Sequence, residues 1–207
     1  EERLHANPVV VQIPIGAEHA FRGMIDLIEQ IAYVYRDNEM TTEAIPAELA
    51  GEAEVRRQEM IELVADLNDE AAECYLEGQE MEPAFLRRII RQIVLANRGV
   101  AILCGTALHN KGIPPLLDAV VDYLPSPQDV EPMQGVSAIN QEPVLCGSEP
   151  DKPLAGLVFK INSDPYVGRL AYVRVYDGVL RRGEQVINPR TGRKERIGRL
   201  VRRHADH

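Results

Sequence analysis

The chain has 207 residues, 45% of them apolar and 27% charged, the composition of a globular protein long enough for more than one core. No apolar run reaches the roughly 18 residues of a membrane helix, and "VVVQIPIG" is too short and lacks the basic flank of a signal peptide. The net charge of −9 is unevenly placed: residues 151–207 hold 13 Lys and Arg against 6 Asp and Glu, so the acidic excess belongs to the first 150. Halves of opposite sign predict two different partners, neither of them a membrane. Cys74, Cys104 and Cys146 stand far apart with no C-x-x-C, which suits a reducing cytoplasm and leads to no expectation of a bound metal.

In chain order, "PVVVQIPIG" (8–16) reads as a strand and "RGMIDLIEQIAYVYRD" (22–37) as one or two more extended segments. The period then changes. Pro46 suits a first helical position, and Met60, Val64, Leu67, Ala71 and Cys74/Tyr75 repeat at helical spacing. After a Glu- and Gly-rich gap, a second helix starts at Pro83, carries Phe85, Leu86, Ile89, Ile90, Ile93 and Val94, and stops at Asn97 to Gly99. "VAILC" (100–104) reads as a buried strand that breaks into the polar loop "GTALHNKG". A further helix from Pro114 carries Leu116, Leu117, Val120, Val121 and Leu124. This strand–loop–helix order predicts an α/β sheet, in which loops at the C-terminal ends of strands hold ligands.

Residues 125–150 contain Pro125, Pro127, Pro132, Pro143 and Pro150 without a clear period and read as a linker. Beyond them the reading is all β. "LAGLVFKI" and "RLAYVRVYDGVL" have strand composition, Asp177-Gly178 is a hairpin signal, and Gly183 and "RTG" at 190–192 supply further turns. The strands are too few to close a barrel.

Several stretches together resemble the elongation factor G family of translational GTPases: "NPVVVQIPIG" with "FRGMIDLI", then "CGTALHNKGIPPLLDAVVDYLPSP", then "SDPYVGRLAYVRVYDGVLRRGEQV". The resemblance implies an α/β fold, a partial GTPase domain over 1–124 interrupted by an α+β insert (the G′ subdomain, about 9–98). After the linker 125–150 it implies an all-β, incomplete barrel domain over 151–207. It further implies that the chain is a segment of a longer ribosomal translocase that hydrolyses GTP with Mg²⁺.

Gly105, Thr106 and Ala107 match the family's guanine motif, whose backbone amide meets the guanine O6. An N–H is the right group there, because guanine presents an acceptor where adenine presents an amino donor. A plain strand-to-helix capping loop would use the same residue types. The phosphate-cradling G-x-x-x-x-G-K-[ST] and the D-x-x-G of the switch do not occur, and Asn110-Lys111 is followed by Ile113 where Asn-Lys-x-Asp needs an acid. These 207 residues alone are therefore expected to bind no nucleotide and to be no enzyme. Asn110 and Lys111 are expected to serve helix entry and as a solvated charge.

The acidic series Glu59, Glu62, Asp66, Asp69/Glu70, Glu73 and Glu77 recurs every three or four residues, giving one face if the helix continues through it. The resemblance implies that this face meets the ribosomal stalk protein; the residues by themselves fit a solvated helix side equally well. Arg181, Arg182, Arg193, Arg196 and Arg199 suit phosphate contact, and the resemblance implies that their partner is small-subunit ribosomal RNA, with positive edge protection as the rival role and DNA not expected. Two other readings stay open: a paralogous ribosome-protection or release-factor GTPase, and a non-enzymatic adaptor with an acidic and a basic half.

Overall fold

The computed structural model describes residues 6–37, 39–164 and 168–202. They form two units, Glu1–Leu124 and Pro125–His207.

In the first unit the opening apolar run makes two strands rather than one. β1 (Pro8–Val10) pairs in parallel with β6 (Val100–Ile102), aligning Val9 with Ala101. One residue later the chain enters β2 (Gln12–Ile15), which belongs to a different sheet. That sheet is antiparallel, in the order β2, β3 (Gly23–Asp26), β4 (Ile31–Arg36), β5 (Glu39–Glu43). Its central turn is closed by Asp26, whose Oδ1 accepts the Ile28 and Glu29 amides at 2.9 and 3.0 Å. Burial raises the Asp26 pKa while these two donors oppose the rise. Strand β5 has no apolar alternation to announce it. Its ladder to β4 and a bond from Thr41 Oγ1 to the Val34 carbonyl hold it.

Three helices follow: α1 (Ala47–Leu67), α2 (Asp69–Leu76) and α3 (Pro83–Leu95). The helical period expected to run from Met60 through Tyr75 is interrupted at Asn68. This residue is extended (φ −146°), and its side chain accepts the Ala71 amide, so it caps a new helix. Pro83 occupies the first turn of α3, where a missing N–H is harmless. The core gathers Val9, Ile13 and Ile25 from the strands and Leu27 from the turn after β3, with Met60, Val64, Leu86, Ile89, Ile90 and Ile93 from the helices. Buried Arg57 of α1 donates to the carbonyls of Leu27, Ile28 (3.0 Å) and Met81 (3.4 Å), satisfying turn backbone that no ladder reaches.

The reading of 100–104 as a buried strand needs correction. Only Val100–Ile102 is strand, and Val100 and Ile102 are 49% and 39% exposed, because β6 pairs with β1 alone among the described residues and turns only Ala101 and Leu103 toward the core. A similar correction applies to α4 (Ile113–Tyr123). Its buried residues are Pro115, Ala119 and Tyr123, whereas Leu116, Leu117, Val120, Val121 and Leu124 are exposed. The spacing is helical, but the side facing α3 is the neighbouring one. Arg91 of α3 closes that contact by donating to the carbonyls of Val121, Asp122 and Leu124, groups that a helix end leaves without partners.

The second unit is three separate antiparallel pairs: β7 (Met133–Val136) with β8 (Pro143–Cys146), β9 (Ala155–Asp164) with β10 (Gly168–Asp177), and β11 (Gln185–Asn188) with β12 (Arg193–Arg196). The 125–150 stretch read as a linker thus carries a hairpin. No sheet among the described residues closes into a barrel. Asp177-Gly178 is not a hairpin turn, since β10 pairs with the strand before it. Buried Asp177 instead accepts the Glu149 amide at 2.7 Å, and Gly178 donates to the Glu149 carbonyl. The true β9–β10 connection, Pro165 to Val167 of "SDPYVG", lies outside the described residues. Gly168, at its end, has φ +82°. The "RTG" turn does join β11 to β12, with Asn188 Oδ1 accepting the Arg190 and Thr191 amides. No helix among the described residues is long and apolar enough to cross a membrane.

Candidate functional site

The loop after β6 is built by its own backbone. Thr106 N–H donates to the Lys111 carbonyl at 2.9 Å and Lys111 N–H returns the bond to Thr106 at 3.0 Å, making a closed bridge. Inside it, the Asn110 amide donates to the Ala107 carbonyl and Asn110 adopts φ +51°, the left-handed conformation asparagine tolerates. Of the three guanine-motif residues, Thr106 has therefore spent its amide. Exposed Ala107 has an N–H with no acceptor among the described residues, so the single free donor of the Thr-Ala pair is the one available to an oxygen outside the chain. Gly105 is needed for space: a Cβ there would stand 2.8 Å from the Lys111 carbonyl oxygen.

Two side-chain bonds tie this loop to the antiparallel sheet and to the β2–β3 connection. The Tyr35 hydroxyl of β4 accepts the buried Gly112 amide at 2.7 Å, and Lys111 Nζ donates to the Phe21 carbonyl at 3.3 Å. Lys111 is half-buried, not the solvated charge expected, and Gly112 holds the cap position before α4 with no side-chain hydrogen bond, so Asn110 does not serve helix entry as a cap. Sequence reasoning missed Tyr35 altogether, because a tyrosine in a strand reads first as packing. Beside the loop, burial pushes the Cys104 thiol up to about 11.

The acidic series does not form one helix face. Glu59, Glu62 and Asp66 share a side of α1, and Glu73 sits on α2 beyond the break at Asn68. Several are already engaged. Glu59 pairs with Arg56 at 2.8 Å, Glu62 accepts from Gln58 and from the Tyr75 hydroxyl, and Glu70 holds Arg88 through two bonds. That bond to Glu62 raises the Tyr75 pKa, and the bond to Arg88 lowers the Glu70 pKa.

The arginines are spread over three local settings. Arg181 and Arg182 lie in the connection before β11, with Arg181 beside Glu184 at 3.5 Å. Arg193 and Arg196 lie on exposed β12, three positions apart and therefore on opposite faces of the strand, and Arg199 follows it in chain without regular structure. The structure thus scatters the arginines, whereas Gly105, Thr106 and Ala107 are neighbours in the chain itself. Among the described residues no group of His, Cys, Asp and Glu is arranged to hold a metal ion.

The family model described as elongation factor G domain 2 matches residues 153–207. Proteins named elongation factor G from Thermotoga petrophila and Thermotoga sp. strain RQ2 are each 49% identical to this chain over 99% of it. The one from Thermotoga maritima is 47% identical over the same span. The chain spans about 30% of the length of these curated relatives. A crystal structure of a protein from Thermus thermophilus superposes on 92% of this chain with a TM-score of 0.71, at 25% identity and over 26% of its own length. On the strength of nearly half the residues shared across both units, the chain belongs to the elongation factor G family.

Proposed function

We propose that these residues act in cytoplasmic protein synthesis as a segment of a ribosomal translocase GTPase. In this reading they supply the guanine side of the nucleotide site, an acidic insert facing the stalk protein, and a basic β region facing small-subunit RNA. The identity of 49% with elongation factor G across the whole chain carries the reading. It favours this over an adaptor, because acidic and basic halves are matched together in one relative.

The guanine role rests on the Ala107 amide, which has no acceptor among the described residues while the amides of Thr106, Asn110 and Lys111 are bonded within the loop. Energetics divide the labour. One or two hydrogen bonds to a base contribute about 0.5–1.5 kcal/mol each. Micromolar affinity requires about 8 kcal/mol. The remainder must come from contacts to the triphosphate and its Mg²⁺, to which no residue of this chain is assigned. Ribosome-stimulated GTP hydrolysis is expected of the full-length protein, and no saturable nucleotide binding at low micromolar concentration of the 207-residue chain. A fluorescent-GDP titration that saturates in that range with the 207-residue chain would overturn this division.

A further inference from the structure

We propose that Tyr35 is a positioning residue for guanine recognition: its hydroxyl holds Gly112 so that the 105–112 loop keeps the Ala107 amide outward. The proposal rests on the guanine reading above and adds to it a residue 77 positions away in sequence, on the antiparallel sheet of the insert.

The geometry leaves Gly112 little freedom. It sits at φ +84°, where only glycine is unstrained, and a Cβ would fall 2.8 Å from Met24 Cε, 2.9 Å from the Cys104 carbonyl oxygen and 3.0 Å from Gly105 Cα. Its amide is buried, so the Tyr35 oxygen is an acceptor that water cannot simply replace. Tyr35 is itself only 8% exposed, and its hydroxyl also donates toward Met40 Sδ at 3.3 Å, which orients the lone pairs. From Gly112 the constraint passes by one peptide to Lys111, across the two-bond bridge to Thr106, and by one more peptide to Ala107. The Lys111 amine on the Phe21 carbonyl is a second tether, to the connection between β2 and β3.

Replacing Tyr35 by Phe keeps the ring and removes the acceptor. The Gly112 N–H must then find another partner, which shifts the loop and reduces the fraction of molecules with the amide correctly aimed. Affinity falls by that fraction. A buried donor left without its acceptor corresponds to about a fivefold to thirtyfold change. The loss must be specific to the guanine oxygen, because only the contact made by the loop is disturbed.

The test uses the full-length protein and two probes, GDP and 6-thioguanosine 5′-diphosphate, which replaces O6 by a weakly accepting sulfur but keeps N1–H, the 2-amino group, the ribose and the phosphates. Competition against fluorescent GDP gives both dissociation constants. The unsubstituted protein is expected to prefer GDP by about tenfold. Tyr35→Phe is expected to weaken GDP and leave the analogue unchanged, bringing the ratio toward one, and Lys111→Met to reduce the ratio less. A protein with no preference to begin with overturns the guanine reading and this proposal with it. A preference that survives both substitutions overturns the positioning role alone, as does equal weakening of both probes.

Discussion

Each unit of the chain shows six strands among its described residues, yet every buried apolar side chain described lies between Val9 and Tyr123. In the second unit the one described residue that is buried is Asp177, a carboxylate held by backbone. The difference is one of layers rather than of composition. In the first unit, helices deliver Met60, Val64, Leu86, Ile89 and Ile93 onto strand side chains, so each sheet has a second layer to bury against. In the second, β9 carries Leu157, Val158, Phe159 and Ile161 at 53%, 51%, 62% and 67% exposure. Apolar residues in succession place oily side chains on both faces, the pattern of a strand covered on two sides. A two-stranded ribbon cannot supply that cover, and in water it is marginal.

The sharpest way to break this comparison is to cut the same atoms from both units. Ile89→Ala removes a fully buried side chain between α3 and the sheet and is expected to cost about 2–5 kcal/mol of stability. Ile161→Ala removes an equal volume from an exposed ribbon and is expected to stay within about 0.5 kcal/mol. Urea unfolding followed by helical circular dichroism reads the first, and hydrogen exchange of the β9 and β10 amides in urea reads the second. Comparable losses would mean that β9 is part of a core.

A smaller effect tests the boundary between α1 and α2. Asn68→Ala deletes the acceptor of the Ala71 amide and is expected to lower stability by about 1 kcal/mol, with Asn68→Asp restoring most of it. The urea midpoint must shift without a change in slope, since the surface exposed on unfolding is nearly unaltered. If Asn68→Ala is neutral, the two helices are one bent helix and the cap is incidental.

Strong periods and strong breakers made most of this fold legible: the stripe of Leu86, Ile89, Ile90 and Ile93 gave α3, and Pro83 gave its start. Where reading failed, the deciding partner was distant in sequence. Asn68 looked like one more polar position on a helix, because a cap is recognisable only once the chain direction changes. Strand β5 formed from "EMTTE" because β4 offered a ladder, not because its side chains wanted burial. The apolar residues of α4 showed the right spacing, but spacing does not say which side meets α3. At the candidate site the polar loop after β6 was visible from neighbours in the chain. The Tyr35–Gly112 hydrogen bond was not, because the two meet only after the strands pair, and no local signal marks a tyrosine whose hydroxyl accepts a loop amide.

The smallest expected effect concerns the acidic residues and asks whether the break at Asn68 divides them functionally. Steering of a basic partner depends on summed charge within about 10 Å, the screening length at 0.1 M salt. It acts on association rate more than on lifetime. Neutralising Glu59, Glu62 and Asp66 together, by Gln and Asn, is expected to slow association with the stalk-protein domain several-fold at low salt, with little change in dissociation. Glu73→Gln separates the alternatives. If α1 and α2 present one field despite the cap between them, this single change slows association by about a third of the logarithmic effect of the triple. If the partner reads only α1, Glu73→Gln leaves stopped-flow rates untouched at every salt concentration. Rates that ignore all four substitutions would remove the acidic residues from the interface and return them to the ordinary task of keeping a helix surface wet.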